Sequence, residues 1–355
     1  MTEKIPEYID QVADEAISRI KNCRIDDNAV SFAFFSDTHN CNTYVERSLY
    51  AINKINKTIP IKFICIGGDY LCNNLRTTHD EALSQLNDLS EIIKNYSSHI
   101  PTMVIKGNHD DNPFGKKENE ISHNEIYDTI MSHHKDFFVS DSKNDKAMYG
   151  YYDMPDEKIR AIYLDVFELK YTKNEEGLSF HERTSYAISN DQLNFIANKA
   201  LKLPQNDWLV VLFSHASPII PPFKESEHIF GGDALIEILK AFKNGEKYST
   251  KAKKGDMFYD VECDFTSQKK GEIAGYFCGH HHTDFTWNVC GIPFACVIQA
   301  ASDNFSRHIC KDGYRHLKVR GSGEESAFDI ISINPSLRKV SCIRCGAGYD
   351  YSFFY

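Results

Sequence analysis

Five short runs in this chain carry side chains that can do chemistry: Asp37-Thr-His39, Gly68-Asp69, Gly107-Asn108-His109-Asp110, Ser214-His215 and Gly279-His280-His281-His282. Aspartate, asparagine and histidine present oxygen and imidazole nitrogen, the donors that borderline divalent ions such as Mn, Fe and Zn accept. Two such ions about 3.5–4 Å apart need a shared carboxylate and separate ligands on each side, and then act as a clamp for in-line displacement at phosphorus. The five runs hold enough donors for that. Any one of them alone reads as a helix cap or a solvated loop side chain.

Each run follows a short apolar segment: Val30 to Phe35, Ile61 to Ile66, Thr102 to Ile105, Trp208 to Phe213 and Ile273 to Cys278. Runs of this length, rich in β-branched and aromatic residues, read as buried strands. Helical spacing over 43–56 and 78–95 separates the first three, which gives βαβαβ and a parallel sheet. Open α/β sheets place their ligands at the carboxyl ends of the strands, where these polar runs sit. Ahead of them, Ile9, Val12, Ala13, Ala16, Ile17 and Ile20 predict a helix over 6–22 that packs on the body. Further strands are predicted at 148–152, 159–166, 292–298, 328–333 and 340–344, and a helix at 233–242. The stretch 216–270 is far longer than a median connection and reads as an insertion or lid, with the basic run Lys247 to Lys254 as a solvated surface loop. Residues 112–146 are polar with few periodic apolar positions.

In this order, each after a strand, the five blocks resemble the calcineurin-like metallophosphoesterase superfamily, whose pattern is Asp-x-His, Gly-Asp, Gly-Asn-His-(Asp/Glu), His and Gly-His-x-His. The resemblance spans residues 30 to about 300. It implies an α/β fold, a four-layer sandwich of two mixed β-sheets flanked by helices. It also implies two divalent or transition-metal ions per chain (Mn, Fe or Zn): one bound by Asp37, His39 and His282, the other by Asn108, His215 and His280, with Asp69 bridging. The activity implied is hydrolysis of a phosphoester through attack by a metal-bound hydroxide. By the same resemblance His109 contacts the phosphoryl oxygen or protonates the leaving group, with Asp110 as its orienting partner. His281 falls on the variable position of the last block and is left out of the ligand set.

The protein Ser/Thr phosphatases of that superfamily extend the second block as Gly-Asp-x-x-Asp-Arg-Gly. Here Cys72 and Asn73 stand in place of the Asp and Arg, so a bidentate donor to phosphate is missing. This points away from that branch and toward bacterial phosphodiesterase and nucleotidase-like members. The substrate expected is a small phosphodiester or phosphomonoester, nucleotide-derived among the candidates. A metal-dependent nuclease is the alternative within enzymes, and a non-catalytic scaffold of the same fold is the alternative of another class.

Composition bounds these readings. With 355 residues, 42% hydrophobic and 25% charged, the chain is neither collagen-like, mucin-like nor wholly disordered. Forty Lys+Arg against fifty Asp+Glu give a net charge of −10, which argues against broad binding to nucleic acid. Eleven cysteines, an odd number placed singly, fit reduced thiols and a cytoplasmic location. Cys342-Ile-Arg-Cys345 closes a predicted strand and reads as packing rather than a zinc or redox motif. No apolar core of a signal peptide opens the chain, and no run approaches the roughly 18 apolar residues of a membrane helix. The organisation expected is an N-terminal helix over 1–28, then one catalytic domain over 29–355 that ends in a strand pair and aromatic tail at 327–355.

Overall fold

The computed structural model describes residues 4–23, 28–71, 77–112, 117–132, 135–169, 185–222, 228–255, 257–300, 308–309, 315–316 and 318–355. The apolar runs build two mixed sheets. In the first, Val30–Phe35, Ile61–Ile66 and Thr102–Val104 lie parallel, and Ala327–Asn334, Lys339–Gly346 and Tyr351–Phe354 continue the sheet antiparallel on the other side of Val30–Phe35. In the second, Ile159–Leu164, Leu209–Ser214, Glu272–Cys278 and Ile292–Cys296 run parallel. Phe285–Val289 closes one edge, and Gly150–Met154 with Val139–Ser140 closes the other. The expected strands are all present and differ only at their ends.

Aromatic rings fill the space between the sheets. Phe32 stacks on Phe63 with centroids 4.5 Å apart and meets Phe213 of the second sheet edge-on at 5.6 Å. Phe213 in turn stacks on Phe277 at 5.6 Å. Replacing Phe213 by Ala should destabilise the fold by about 3–5 kcal/mol, since it removes a fully enclosed ring from this layer. Urea unfolding measures it, and an unshifted midpoint would show that the layer closes up without the ring.

Helices cover the outer faces. Glu7–Cys23 buries Ile9, Ala13, Ala16 and Ile20, packing on the Asn42–Asn56 helix and the Lys339–Gly346 strand. His79–Ser97 starts at a reciprocal capping box between Thr78 and Glu81. On the second sheet, Asn190–Phe195 and Gly232–Asn244 enclose a separate core with Leu193, Leu235, Leu239 and Phe242. The order helices, sheet, sheet, helices is the four-layer arrangement that the resemblance implied. Among the described residues no helix is long and apolar enough to cross a membrane.

Three stretches differ from expectation. Within 216–270, the Gly232–Asn244 helix is part of the second core rather than a lid over it; residues 223–227 and 256 lie outside the described residues. Lys247–Lys254 is a strand, paired over its whole length with Met257–Asp264. Its alternation is hard to read because its inward positions are Tyr248, Thr250 and Ala252, only half-buried, while Val261 and Cys263 of the partner strand supply the apolar contact. Lys247 and Lys251 stand opposite Asp264 and Asp260, with Lys247 Nζ 3.0 Å from Asp264 Oδ2. These acids offset part of the basic run, while Lys253 and Lys254 stand opposite Phe258 and Met257. Within 112–146, residues 123–131 are helical and bury Ile126, Tyr127, Ile130 and Met131, a stripe too short to show as periodicity.

The aromatic tail forms the edge strand Tyr351–Phe354. Its Tyr351 hydroxyl donates to Asp329 Oδ2 at 3.0 Å, and Phe353 rests against Phe277. Cys342 and Cys345 are buried in the neighbouring strand, as packing residues are.

Candidate metal centre

The polar loops after Val30–Phe35, Ile61–Ile66, Thr102–Val104, Leu209–Ser214 and Glu272–Cys278 converge at one end of the two sheets. Backbone bonds tie them together: Asp37 N–H donates to the Gly68 carbonyl and His39 N–H to the Asp69 carbonyl, both at 2.9 Å, and Gly279 N–H donates to the His215 carbonyl at 2.8 Å. Two donor sets result. Asp37, His39, Asp69 and His282 form one, and Asp69, His215 and His280 the other, with ligand atoms within 4.8 Å of one another in each. Asp69 belongs to both. Asn108 stands beside the second set, its Oδ1 3.0 Å from His280 Nδ1. Asp37, Asp69 and His215 form the buried floor, while His39, His109, His280 and His282 are partly open to solvent.

This geometry fits cations. The Gly67 carbonyl accepts from His215 Nδ1 at 2.7 Å and the Leu71 carbonyl from His39 Nδ1 at 3.2 Å, so both rings carry their proton outward and turn Nε2 into the centre. His215 Nε2 lies buried 3.1 Å from Asp69 Oδ2, outside hydrogen-bond geometry. His39 Nε2 and His282 Nε2 are 3.1 Å apart, and His282 Nε2 is 3.1 Å from Asp37 Oδ1. Nitrogen and carboxylate lone pairs aimed at common points repel one another unless positive charge stands between them.

Protonation follows the same logic. Burial opposes charge on Asp37 and Asp69, yet the imidazoles of His282 and His215 beside the first, and of His215 and His109 beside the second, hold both carboxyls well below the usual range. Burial also opposes charge on His215, but the two carboxylates carry it up to about 10. That proton affinity measures the pull a cation would feel at the same place. His109, where burial outweighs Asp69, is pushed down to about 4 and is a neutral imidazole at neutral pH.

The backbone is strained where the donors are. Asp37, His39, Asp69, His280 and His282 all have φ between +45° and +69°, a region that costs non-glycine residues energy and persists where the surroundings enforce it. Two glycines make room. A Cβ on Gly107 would lie 2.2 Å from Asp69 Oδ1, and one on Gly279 2.3 Å from Asp37 Oδ2.

Asp110 departs from the expected role of orienting His109. It is fully buried, and its carboxylate accepts from the backbone amides of Gly107 at 2.6 Å, Tyr70 at 2.6 Å, Asp69 at 3.0 Å and Leu71 at 3.4 Å. It pins the Asp69 loop to the Asn108 loop. His109 instead donates its backbone N–H to Asp69 Oδ1 at 2.9 Å, with its ring 4.9 Å from that of His39 and Nε2 3.9 Å from Asp69 Oδ2. His281 sits at the rim with its ring 4.8 Å from His280. Cys72 and Asn73 lie outside the described residues.

Two contributors have no place in the sequence reading. Phe167, in the loop after Ile159–Leu164, sets its ring 5.6 Å from His215 and 6.1 Å from His280 and walls that side of the centre. Buried Lys106 donates to the Phe167 carbonyl at 3.0 Å and lies 3.5 Å from Asp111, joining this loop to the Asn108 loop. The available signal was positional, since Phe167 also follows a strand and Lys106 directly precedes Gly107.

A sequence model of the calcineurin-like phosphoesterases matches residues 30–284. No curated protein matches the chain in sequence. Similar solved structures include a conserved protein of Streptococcus pneumoniae described as a predicted phosphoesterase, at 9% identity over 92% of this chain and 97% of that one, with a TM-score of 0.32. A protein of Staphylococcus aureus described as a 5′-nucleotidase, in complex with alpha-ketoglutarate, aligns at 11% identity over 90% of this chain and 54% of its own, with a TM-score of 0.43. The NAD nucleotidase of Haemophilus influenzae aligns at 12% identity over 92% and 49%, with a TM-score of 0.40. This chain spans about half the length of each of the latter two.

Proposed function

The chain belongs to the calcineurin-like phosphoesterase family of metal-dependent hydrolases, and from that premise we propose that it hydrolyses a small phosphodiester or phosphomonoester with two divalent ions. The observation that carries this reading is the pair of donor sets that share Asp69. In this assignment Asp37, His39 and His282 hold one ion, Asn108, His215 and His280 the other, and Asp69 faces both. Bound there, the ions would supply an activated water and neutralise charge on the phosphoryl oxygens. The chain's own part is to fix the donors, to exclude water with Phe167 on one side, and to offer the His109 imidazole to the phosphoryl or leaving-group oxygen.

A cleft of about 560 Å³ opens beside Asn40 and Cys41, directly after His39, and is lined by Tyr44, Arg47, Arg320 and Glu325, with Arg47 paired to Glu325 at 2.7 Å. The nuclease alternative rests on the basic segment, in which Lys247 and Lys251 stand opposite Asp264 and Asp260 across the hairpin. The scaffold alternative predicts missing donors, whereas each expected position carries one.

Metal removal tests the proposal. After chelation and desalting, hydrolysis of aryl phosphomono- and diesters is expected to vanish and to return with Mn, Fe or Zn, with about two ions per chain by metal analysis. Undiminished turnover by metal-free protein would sink it. Faster cleavage of nucleic acid, weakening as salt rises, would move the assignment to the nuclease.

A further inference from the structure

We propose that Arg344 is a positioning residue that sets the His280–His282 loop through Asp284, by tying the two sheets together at the level of the metal centre. The inference rests on the metal-centre reading above. It concerns a strand outside the region that the family match covers, which ends at Asp284 itself.

Arg344 lies in Lys339–Gly346 and is buried. Its guanidinium forks onto Asp284, with Nη2 to Oδ1 at 2.7 Å and Nη1 to Oδ2 at 3.0 Å. Its Nε donates to Asp329 Oδ1 at 2.6 Å, and Nη1 also reaches the Ala347 carbonyl at 3.1 Å. Asp284 follows His282 by two residues, opens the Phe285–Val289 strand of the second sheet, and accepts from Ile298 N–H at 2.9 Å. Asp329 belongs to the first sheet, where it stands opposite Phe34 on the strand that leads into Asp37. One cation therefore grips one carboxylate from each sheet.

The donors make the same division. Asp37, His39, Asp69 and Asn108 follow strands of the first sheet, while His215, His280 and His282 follow strands of the second. His282 must meet Asp37 across that boundary, at 3.1 Å from Nε2 to Oδ1, so sliding of one sheet over the other would separate them. A bidentate guanidinium–carboxylate pair fixes direction as well as distance. The chain also closes over it: a Cβ on Gly348 would lie 2.4 Å from Arg344 Nη1 and 3.3 Å from Asp284 Oδ2. Buried ion pairs are weak contributors to stability compared with apolar packing, which leaves placement as their use here.

The experiment is calorimetric titration of the chelated, full-length protein with Mn²⁺, alongside its metal-free thermal midpoint. Asp284→Asn and Arg344→Lys each remove the fork while keeping size, and each is expected to weaken Mn²⁺ binding about tenfold or more. Leu239→Ala, a truncation in the second core far from the tie, lowers the midpoint without changing Mn²⁺ affinity. Wild-type affinity in either fork variant overturns the inference. It is equally overturned if Leu239→Ala loses affinity in step with stability, because the tie then acts only through the fold. If one fork variant does not fold, the other gives the reading. An unsubstituted protein that takes up no Mn²⁺, Fe²⁺ or Zn²⁺ would instead remove the metal-centre reading, and the inference with it.

Discussion

Asp69→Asn should lower kcat/KM for an aryl phosphoester by about 10³-fold or more, equivalent to roughly 4 kcal/mol of lost transition-state stabilisation. Among the described residues Asp69 alone belongs to both donor sets, so one substitution withdraws charge from both at once. Asparagine is the informative replacement. Asp69 has φ +57°, which asparagine tolerates far better than alanine, and the amide keeps an oxygen for the His109 N–H. Its new N–H₂ faces His215 Nε2, 3.1 Å from the present Oδ2, and can donate to that lone pair, so the fold has reason to survive. Metal content is expected to fall from about two ions to one or fewer. A folded variant that retains two ions and a tenth of the activity would show that Asp69 does not bridge.

His109→Gln should lower kcat by about 10²- to 10⁴-fold, the range for a positioned proton donor, with metal content unchanged. The anchoring bond from His109 N–H to Asp69 is made by the backbone and stays. Because burial holds the ring near pKa 4, a proton passed to the leaving oxygen must first be taken up from solvent, an uptake that the negative charge of the approaching substrate favours. The loss is therefore expected to be larger for alkyl than for nitrophenyl leaving groups, since alkoxides need the proton more. Equal losses for both would place His109 on the phosphoryl oxygen instead, and a kcat within threefold of the parent would remove it from the chemistry.

The donors were legible because their signal is local: a strand, a sharp polar turn, and a donor within three residues of the strand's end. Asp37, His39, Asp69, Asn108, His215, His280 and His282 share that form, and the structure brings all seven into one place. Asp110 shares it too, yet its carboxylate faces backbone amides rather than the cleft, a difference of direction that no residue type encodes. Lys247–Lys254 reads as a loop because its inward positions are barely apolar, and its partner strand, with Asp264 and Asp260 opposite Lys247 and Lys251, comes only after a turn. The grip of Arg344 on Asp284 joins residues far apart in the chain and in different sheets, with no spacing to betray it. Contacts along one strand and its turn leave a pattern, whereas contacts between layers leave only compatible residues.

The left-handed backbone at Asp37, His39, Asp69, His280 and His282 bears on how the protein meets its ions. Each such residue is held against its own preference at a cost of order 1 kcal/mol or more. Aspartate, asparagine and histidine accept that backbone more readily than other non-glycine residues, so the side chains that can donate to an ion are also those these turns admit. A substitution at one of them therefore disturbs the turn as well as the donor.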